Sequence, residues 1–177
     1  DNSYLFVDQF NNYSMTTSKD RWLLPTTQMV YGEIKSGDPK RANKEKLWEL
    51  IVKHGKMPPK EDDRYQTYME RLKYEVSVIS DNGMADFLPY FFVLEDAAEF
   101  ARANDIMFNI RGSGGSCLLI YLLGVSITDP IQYDLPFERF LTVGRIKSGS
   151  LPDLDSDWQD RGIIYDYLKK KYGDSCA

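Results

Sequence analysis

Apolar residues recur at three- and four-residue spacing over several stretches of the chain, and this spacing predicts helices. Over 62–81 the stripe is Tyr65, Tyr68, Met69, Leu72, Val76 and Ile79. Asp62 and Asp63 stand before it as capping residues, and Gly83 follows its end. Over 43–54, Leu47, Leu50 and Ile51 share one face, and His54-Gly55 closes the helix. His54, the single histidine, reads as a helix-end residue favoured by the dipole, not as a ligand. Pro58-Pro59 breaks the pattern. Phe87 to Leu94 is a buried apolar run, which passes into helical character at Glu95 to Asn104 through Ala97, Ala98, Phe100 and Ala101. Cys117 to Gly124 reads as an apolar helix. Residues 159–173 read as an amphipathic one, with Ile163, Ile164, Tyr167 and Leu168 on its apolar side and a solvated Lys169-Lys170-Lys171 end. Residues 1–31 have no clear type, and 32–43, rich in Gly, Pro, Lys and Asp, reads as a linker.

Near the C-terminus the period changes to two. In Leu151-Pro152-Asp153-Leu154-Asp155-Ser156-Asp157-Trp158 a carboxylate occupies every second position. In an extended strand Asp153, Asp155 and Asp157 would share one face. Two readings fit. Acidic runs after a proline are commonly solvated turns. Alternatively, closely spaced like charges require a counter-charge, and hard carboxylate oxygens suit Mg2+. A calcium loop fits less well, because the glycine and distal glutamate of an EF-hand are missing.

A second feature lies upstream. Arg111-Gly112-Ser113-Gly114-Gly115-Ser116 feeds the apolar helix that starts at Cys117. Its glycines leave backbone amides uncovered, and a helix N-terminus adds free N–H groups and a positive dipole end. Ser113 and Ser116 can donate to phosphate oxygens, and Arg111 can grip a phosphate with two bonds. A tight turn followed by a cap is the plainer alternative. No Lys-Ser or Lys-Thr pair follows, so the segment is not a P-loop, and its glycine spacing is not the dinucleotide fingerprint. Arg139, Arg145 and Lys147 stand between this loop and the acidic row.

Composition adds bounds. At 177 residues, 42% hydrophobic and 14% aromatic, the chain is one domain or part of a larger one. A net charge of −5 argues against a bulk electrostatic nucleic-acid binder. It leaves open a phosphate site whose positive charge comes from metals. No apolar run reaches the about 18 residues of a membrane span, and no signal peptide is expected. Cys117 and Cys176 make no disulfide framework, so a reduced, cytosolic setting is expected and the sequon at Asn12 has no consequence. Neither an internal repeat nor a low-complexity tract is visible.

Four segments in order resemble the palm of the alpha subunit of bacterial DNA polymerase III, the C-family replicative polymerase. They are Glu70-Arg71-Leu72-Lys73-Tyr74-Glu75; Tyr90-Phe91-Phe92-Val93 with Phe100-Ala101-Arg102; Arg111-Gly112-Ser113 with Gly114-Gly115-Ser116; and Asp129-Pro130, Phe137-Glu138-Arg139-Phe140-Leu141 and Pro152-Asp153-Leu154-Asp155. The resemblance covers about Glu70 to Gly173. It implies an α+β fold, a polymerase beta-like nucleotidyltransferase palm with residues 61–177 as its N-terminal part. Residues 1–60 form a weakly matched lead-in. It further implies that two Mg2+ ions, replaceable by Mn2+, join a deoxynucleoside triphosphate to a primer 3′-hydroxyl. Asp153 and Asp155 are then the catalytic metal ligands, with Asp157 a further candidate. Arg111, Gly112, Ser113, Ser116 and Arg139 would bind the triphosphate, and Arg145 and Lys147 would contact phosphate or DNA.

The implied partners are primer–template DNA and the remaining polymerase domains or a second polypeptide. Through other regions they extend to a sliding clamp and a proofreading exonuclease, in a bacterial or phage-infected cytoplasm. Three departures point to a divergent, phage-encoded member. Asn109-Ile110 replaces glycines, Gly114-Gly115-Ser116-Cys117 replaces Ala-Ala-Gly-Ser, and 146–150 is two residues longer than usual. The family's third catalytic aspartate is expected on a later strand, beyond Ala177, so the chain alone is expected to be inactive. A template-independent nucleotidyltransferase and a non-catalytic, partner-binding remnant are the other readings.

Overall fold

In the computed structural model, which describes residues 24–32 and 37–173, a helix begins inside the stretch read as a linker. Asp38 accepts from the N–H groups of Lys40 and Arg41, and Pro39 opens the first turn of α2 (Pro39–His54). A proline there loses no intrahelical bond and has its φ already set. Helix α2 therefore starts four residues before the predicted Asn43. Asn43 itself is buried, donating to Asp86 at 2.9 Å and bonded to Thr27 of the short α1 (Thr27–Tyr31).

The clearest predicted helix is α3 (Tyr65–Ser80), shorter at its start than expected. Asp62 does not cap it. That carboxylate turns back onto the N–H and guanidinium of Arg64. At the other end the stop is made by Asn82 rather than Gly83. The Asn82 amide donates to the carbonyls of Val78, Ile79 and Ala85, and its oxygen accepts from Met84 and Ala85 N–H. The apolar run and the following helical stretch are one element, α4 (Leu88–Ala103), with Asp86 accepting from Leu88 N–H.

Phe87, Phe91, Phe92, Ile79 and Ile51 are fully buried where α2, α3 and α4 meet α5 (Leu118–Leu122). Phe137, Phe140 and Ile146 of the later segments join the same core. A smaller cluster of Ala97, Ala101, Ile106 and Ile164 holds α7 (Arg161–Tyr172) to α4. Tyr167 stacks flat on Phe100 at 3.9 Å between ring centres. The lysine run is not wholly solvated: Lys171 Nζ lies 2.9 Å from the Asp96 carboxylate, which also accepts from Tyr167 and Tyr172. His54 ends α2 as expected, 2.9 Å from Glu95. Glu99 lies close by, and Lys53 bridges both glutamates as their counter-charge.

Strands β1 (Phe108–Ile110) and β2 (Ser156–Trp158) pair antiparallel, with Phe108 opposite Trp158, Asn109 opposite Asp157 and Ile110 opposite Ser156. The described residues are thus α+β, mostly helical with one small sheet. None of the described helices is long and apolar enough to cross a membrane. Cys176 and the sequon at Asn12 lie outside the described residues.

Candidate functional site

The small sheet brings the two chemical features together. Strand β1 leads directly into the Gly112–Ser116 segment, which coils as one 3-10 turn. Strand β2 is the end of the acidic row. Past the last paired residues, Arg111 N–H still donates to the Asp155 carbonyl at 2.8 Å. The loop and the row are therefore neighbours by backbone pairing, whatever their side chains do.

Of the three aspartates only Asp157 lies in a strand as such; the predicted strand is shorter than the row. The alternation nevertheless persists. Asp153, Asp155 and Asp157 are exposed while Leu154 and Ser156 between them are half-buried. Asp155 lies against the loop. A Cβ placed on Gly112 would lie 3.3 Å from Asp155 Oδ2, and Gly112 has φ +63°. Only glycine takes that conformation without cost and lets a carboxylate come this near. Asp157 is already paired: its Oδ2 lies 2.7 Å from Arg111 Nε, with the side chains 56% and 62% exposed. Pairs this exposed are screened and add little stability, so Arg111 can exchange this partner for another anion. Asp153 follows buried Pro152, whose carbonyl accepts from Tyr90. Burial, then the nearby Asp153 charge, push the Tyr90 phenol upward. Among the described residues, Asp153 and Asp155 have no lysine or arginine as ion-pair partner. Two exposed, uncompensated carboxylates fit hard divalent cations as ligands.

The expectation of a free helix N-terminus is corrected. The N–H groups of Leu118 and Leu119, at the start of α5, both donate at 2.9 Å to the carboxylate of Glu75. An internal carboxyl group already occupies those donors. Ser116, the last residue of the loop, is buried, and its carbonyl accepts from Arg71 at 2.8 Å. Ser113 is half-buried and Arg111 exposed at the rim. Arg139 is exposed on a second 3-10 turn, Phe137–Arg139, which packs against the first. Arg145 belongs to α6 (Val143–Lys147), where its guanidinium donates back to the Phe140 carbonyl at 2.9 Å, and Lys147 is exposed at the end of that helix.

Arg71 and Glu75 are the residues that sequence reasoning missed. Glu75 is completely buried, and Arg71 Nε lies 2.7 Å from it. Burial, only partly opposed by the donors Leu119, Leu118 and Arg71, holds the Glu75 carboxyl above its ordinary range. Cys117 touches the same carboxylate, and burial followed by that charge push its thiol well up. A signal was present. Tyr68, Leu72, Glu75 and Ile79 follow one helical stripe, and a charge at a core position requires partners.

Strand pairing sets the loop beside the carboxylate row, and the second turn packs against the loop, in an α+β fold. A family model of the bacterial DNA polymerase III alpha NTPase domain matches residues 40–177. DNA polymerase III subunit alpha of Staphylococcus aureus strain Mu50 is 40% identical over 134 residues, as is that of strain N315. Each match covers 74% of this chain and 12% of the relative. The Staphylococcus epidermidis RP62A subunit is 36% identical over 135 residues, 75% of this chain and 12% of the relative. The chain belongs to the bacterial DNA polymerase III alpha family and spans about 12% of the length of these relatives.

Proposed function

We propose that this chain carries part of the catalytic centre of a DNA-directed DNA polymerase, in a palm of the polymerase beta-like type. The observation that carries the reading is the Asp155 carboxylate lying against Gly112, which joins a metal-type row to a phosphate-type loop. Family membership supplies the reaction class.

Asp153 and Asp155 would hold two divalent ions, Mg2+ with Mn2+ as substitute, whose chemistry is to lower the pKa of an attacking 3′-hydroxyl and neutralise the departing pyrophosphate. The Gly112 backbone and the Ser113 hydroxyl would donate to the triphosphate of a deoxynucleotide. Arg111 would leave Asp157 and take a phosphate oxygen pair in its place. Asp157 thus serves as the resting partner of Arg111 rather than as a third ligand. Arg139, on the adjacent turn, would neutralise charge as it develops. Ser116, buried at the end of the loop, would anchor it through its carbonyl rather than contact the triphosphate. Arg145 and Lys147, beyond that turn, would meet primer–template phosphates. With a net charge of −5, phosphate affinity rests on the ions and these few cations. Fingers, thumb, clamp and exonuclease contacts would belong to the rest of a replicative subunit in a bacterial or phage-infected cytoplasm.

Mn2+ titration followed by electron paramagnetic resonance tests this. Wild-type chain should bind the ion, and Asp153→Asn and Asp155→Asn should each weaken binding about tenfold or more. Equal affinity in wild type and Asp155→Asn would refute the assignment. In primer extension by the longer subunit, Asp155→Asn should abolish synthesis, and synthesis without a template strand would favour a template-independent enzyme.

A further inference from the structure

We infer that Arg71 is a positioning residue: one guanidinium, anchored on buried Glu75, sets the Gly112–Ser116 loop and the Phe137–Arg139 turn in a common frame for a triphosphate held between them. The inference rests on the phosphate-binding reading of that loop. Arg71 and Glu75 lie on α3, a different segment from the proposed metal ligands.

The geometry is specific. Arg71 Nε lies 2.7 Å from Glu75 Oε2. Arg71 Nη2 donates to two carbonyls, Ser116 and Leu135, each at 2.8 Å. Ser116 is the last residue of the loop's 3-10 turn, and Leu135 precedes Pro136, the residue from which the Arg139 turn starts. These carbonyls are 19 residues apart in sequence and share this one donor. Glu75 supplies the other half. By accepting from Leu118 and Leu119 N–H it fixes the start of α5 immediately after the loop. Tyr74, on the same turn of α3, donates to Glu138 at 2.7 Å and steadies the second turn from outside. Helix α3, packed in the core through Leu72 and Ile79, thus serves as the rigid base for both phosphate-facing segments. A planar guanidinium presents several donors in a fixed fork, and an ammonium cannot satisfy the same three acceptors in that arrangement.

The test compares wild type, Arg71→Lys and Arg71→Met, with Arg64→Met as a control that breaks only an exposed ion pair with Asp62. Three readouts are needed: Mn2+ affinity, affinity for a non-hydrolysable deoxyadenosine triphosphate analogue with Mg2+, and amide exchange. Arg71→Lys should weaken the triphosphate about tenfold and Mn2+ by clearly less, about twofold, since Arg71 holds the Ser116 end of the loop and Asp155 meets the loop at its other end, Gly112. Exchange should rise together at Cys117, which bonds the Gly114 carbonyl, and at Phe140, which bonds the Phe137 carbonyl. Amides of α2 should keep their protection. Should Arg71→Met unfold, Arg71→Lys carries the test, because it keeps the charge beside Glu75. Loosening of one turn alone, or wild-type triphosphate affinity in Arg71→Lys, would overturn the inference. If wild type binds no triphosphate, the phosphate-binding reading fails, and exchange at the two turns still decides whether Arg71 couples them.

Discussion

Gly112→Ala isolates the contact on which the site depends. Two separate penalties follow from the structure. The residue sits at φ +63°, where an L side chain costs roughly 1–2 kcal/mol. The added methyl would also stand 3.3 Å from Asp155 Oδ2, so either the loop or the carboxylate must give way. If the loop turns back toward negative φ, Gly112 leaves Asp155 and the row loses its support. A coupling of about 1 kcal/mol between the two corresponds to about fivefold in metal affinity. Gly115 is the internal control. It lies in the same turn and has ordinary φ, and its added methyl would meet only Thr128 Cγ2 at 3.9 Å. Urea denaturation and Mn2+ titration of both variants supply the measurement. Gly112→Ala should lose about 1–2 kcal/mol of stability and about fivefold of Mn2+ affinity, while Gly115→Ala changes neither appreciably. Equal effects of the two variants, or unchanged Mn2+ affinity in Gly112→Ala, would refute the coupling of loop to carboxylate.

Two further outcomes are expected. Gly124→Ala places a methyl 2.5 Å from His54 Nδ1 at a residue with φ +74°; strain and overpacking together should cost on the order of 2–4 kcal/mol, read as a fall in Tm, whereas a loss of about 1–2 kcal/mol would leave backbone strain alone and show that His54 swings away freely, and a smaller one would contradict both terms. Because burial raises the Glu75 carboxyl, the folded state binds a proton that the unfolded state has already released. Stability should therefore fall as pH rises from the ordinary carboxylate range through the folded value. Glu75→Gln should remove this component of the slope, and an unchanged slope in denaturation from pH 4 upward would contradict it.

Much of the helical framework was legible from period alone. The stripes of Tyr68, Leu72 and Ile79, and of Leu47, Leu50 and Ile51, reappear as buried faces, because a helix that buries one side must repeat its apolar residues at that period. Ends were less legible. The stop at Asn82 and the start at Pro39 depend on hydrogen bonds from single side chains, and Asp62 found Arg64 instead of the helix it precedes. The partner of Lys171, at the end of the lysine run, is likewise Asp96, more than seventy residues away in sequence.

For the candidate site the division is similar. By itself the sequence determined which residue types were available. These are alternate aspartates, a glycine-serine loop and nearby arginines, and their order carries the family resemblance that the family match then showed. Only the tertiary structure decided how they meet. Pairing of β1 with β2 brings Asp155 to Gly112 and Asp157 to Arg111, a register that local sequence does not encode. Folding also fills the start of α5 with the Glu75 carboxylate, so that those amides serve the core and not a ligand. The physical reason is common to both. A side chain's chemistry is local, but its partners are chosen by packing and strand pairing, which join residues far apart along the chain.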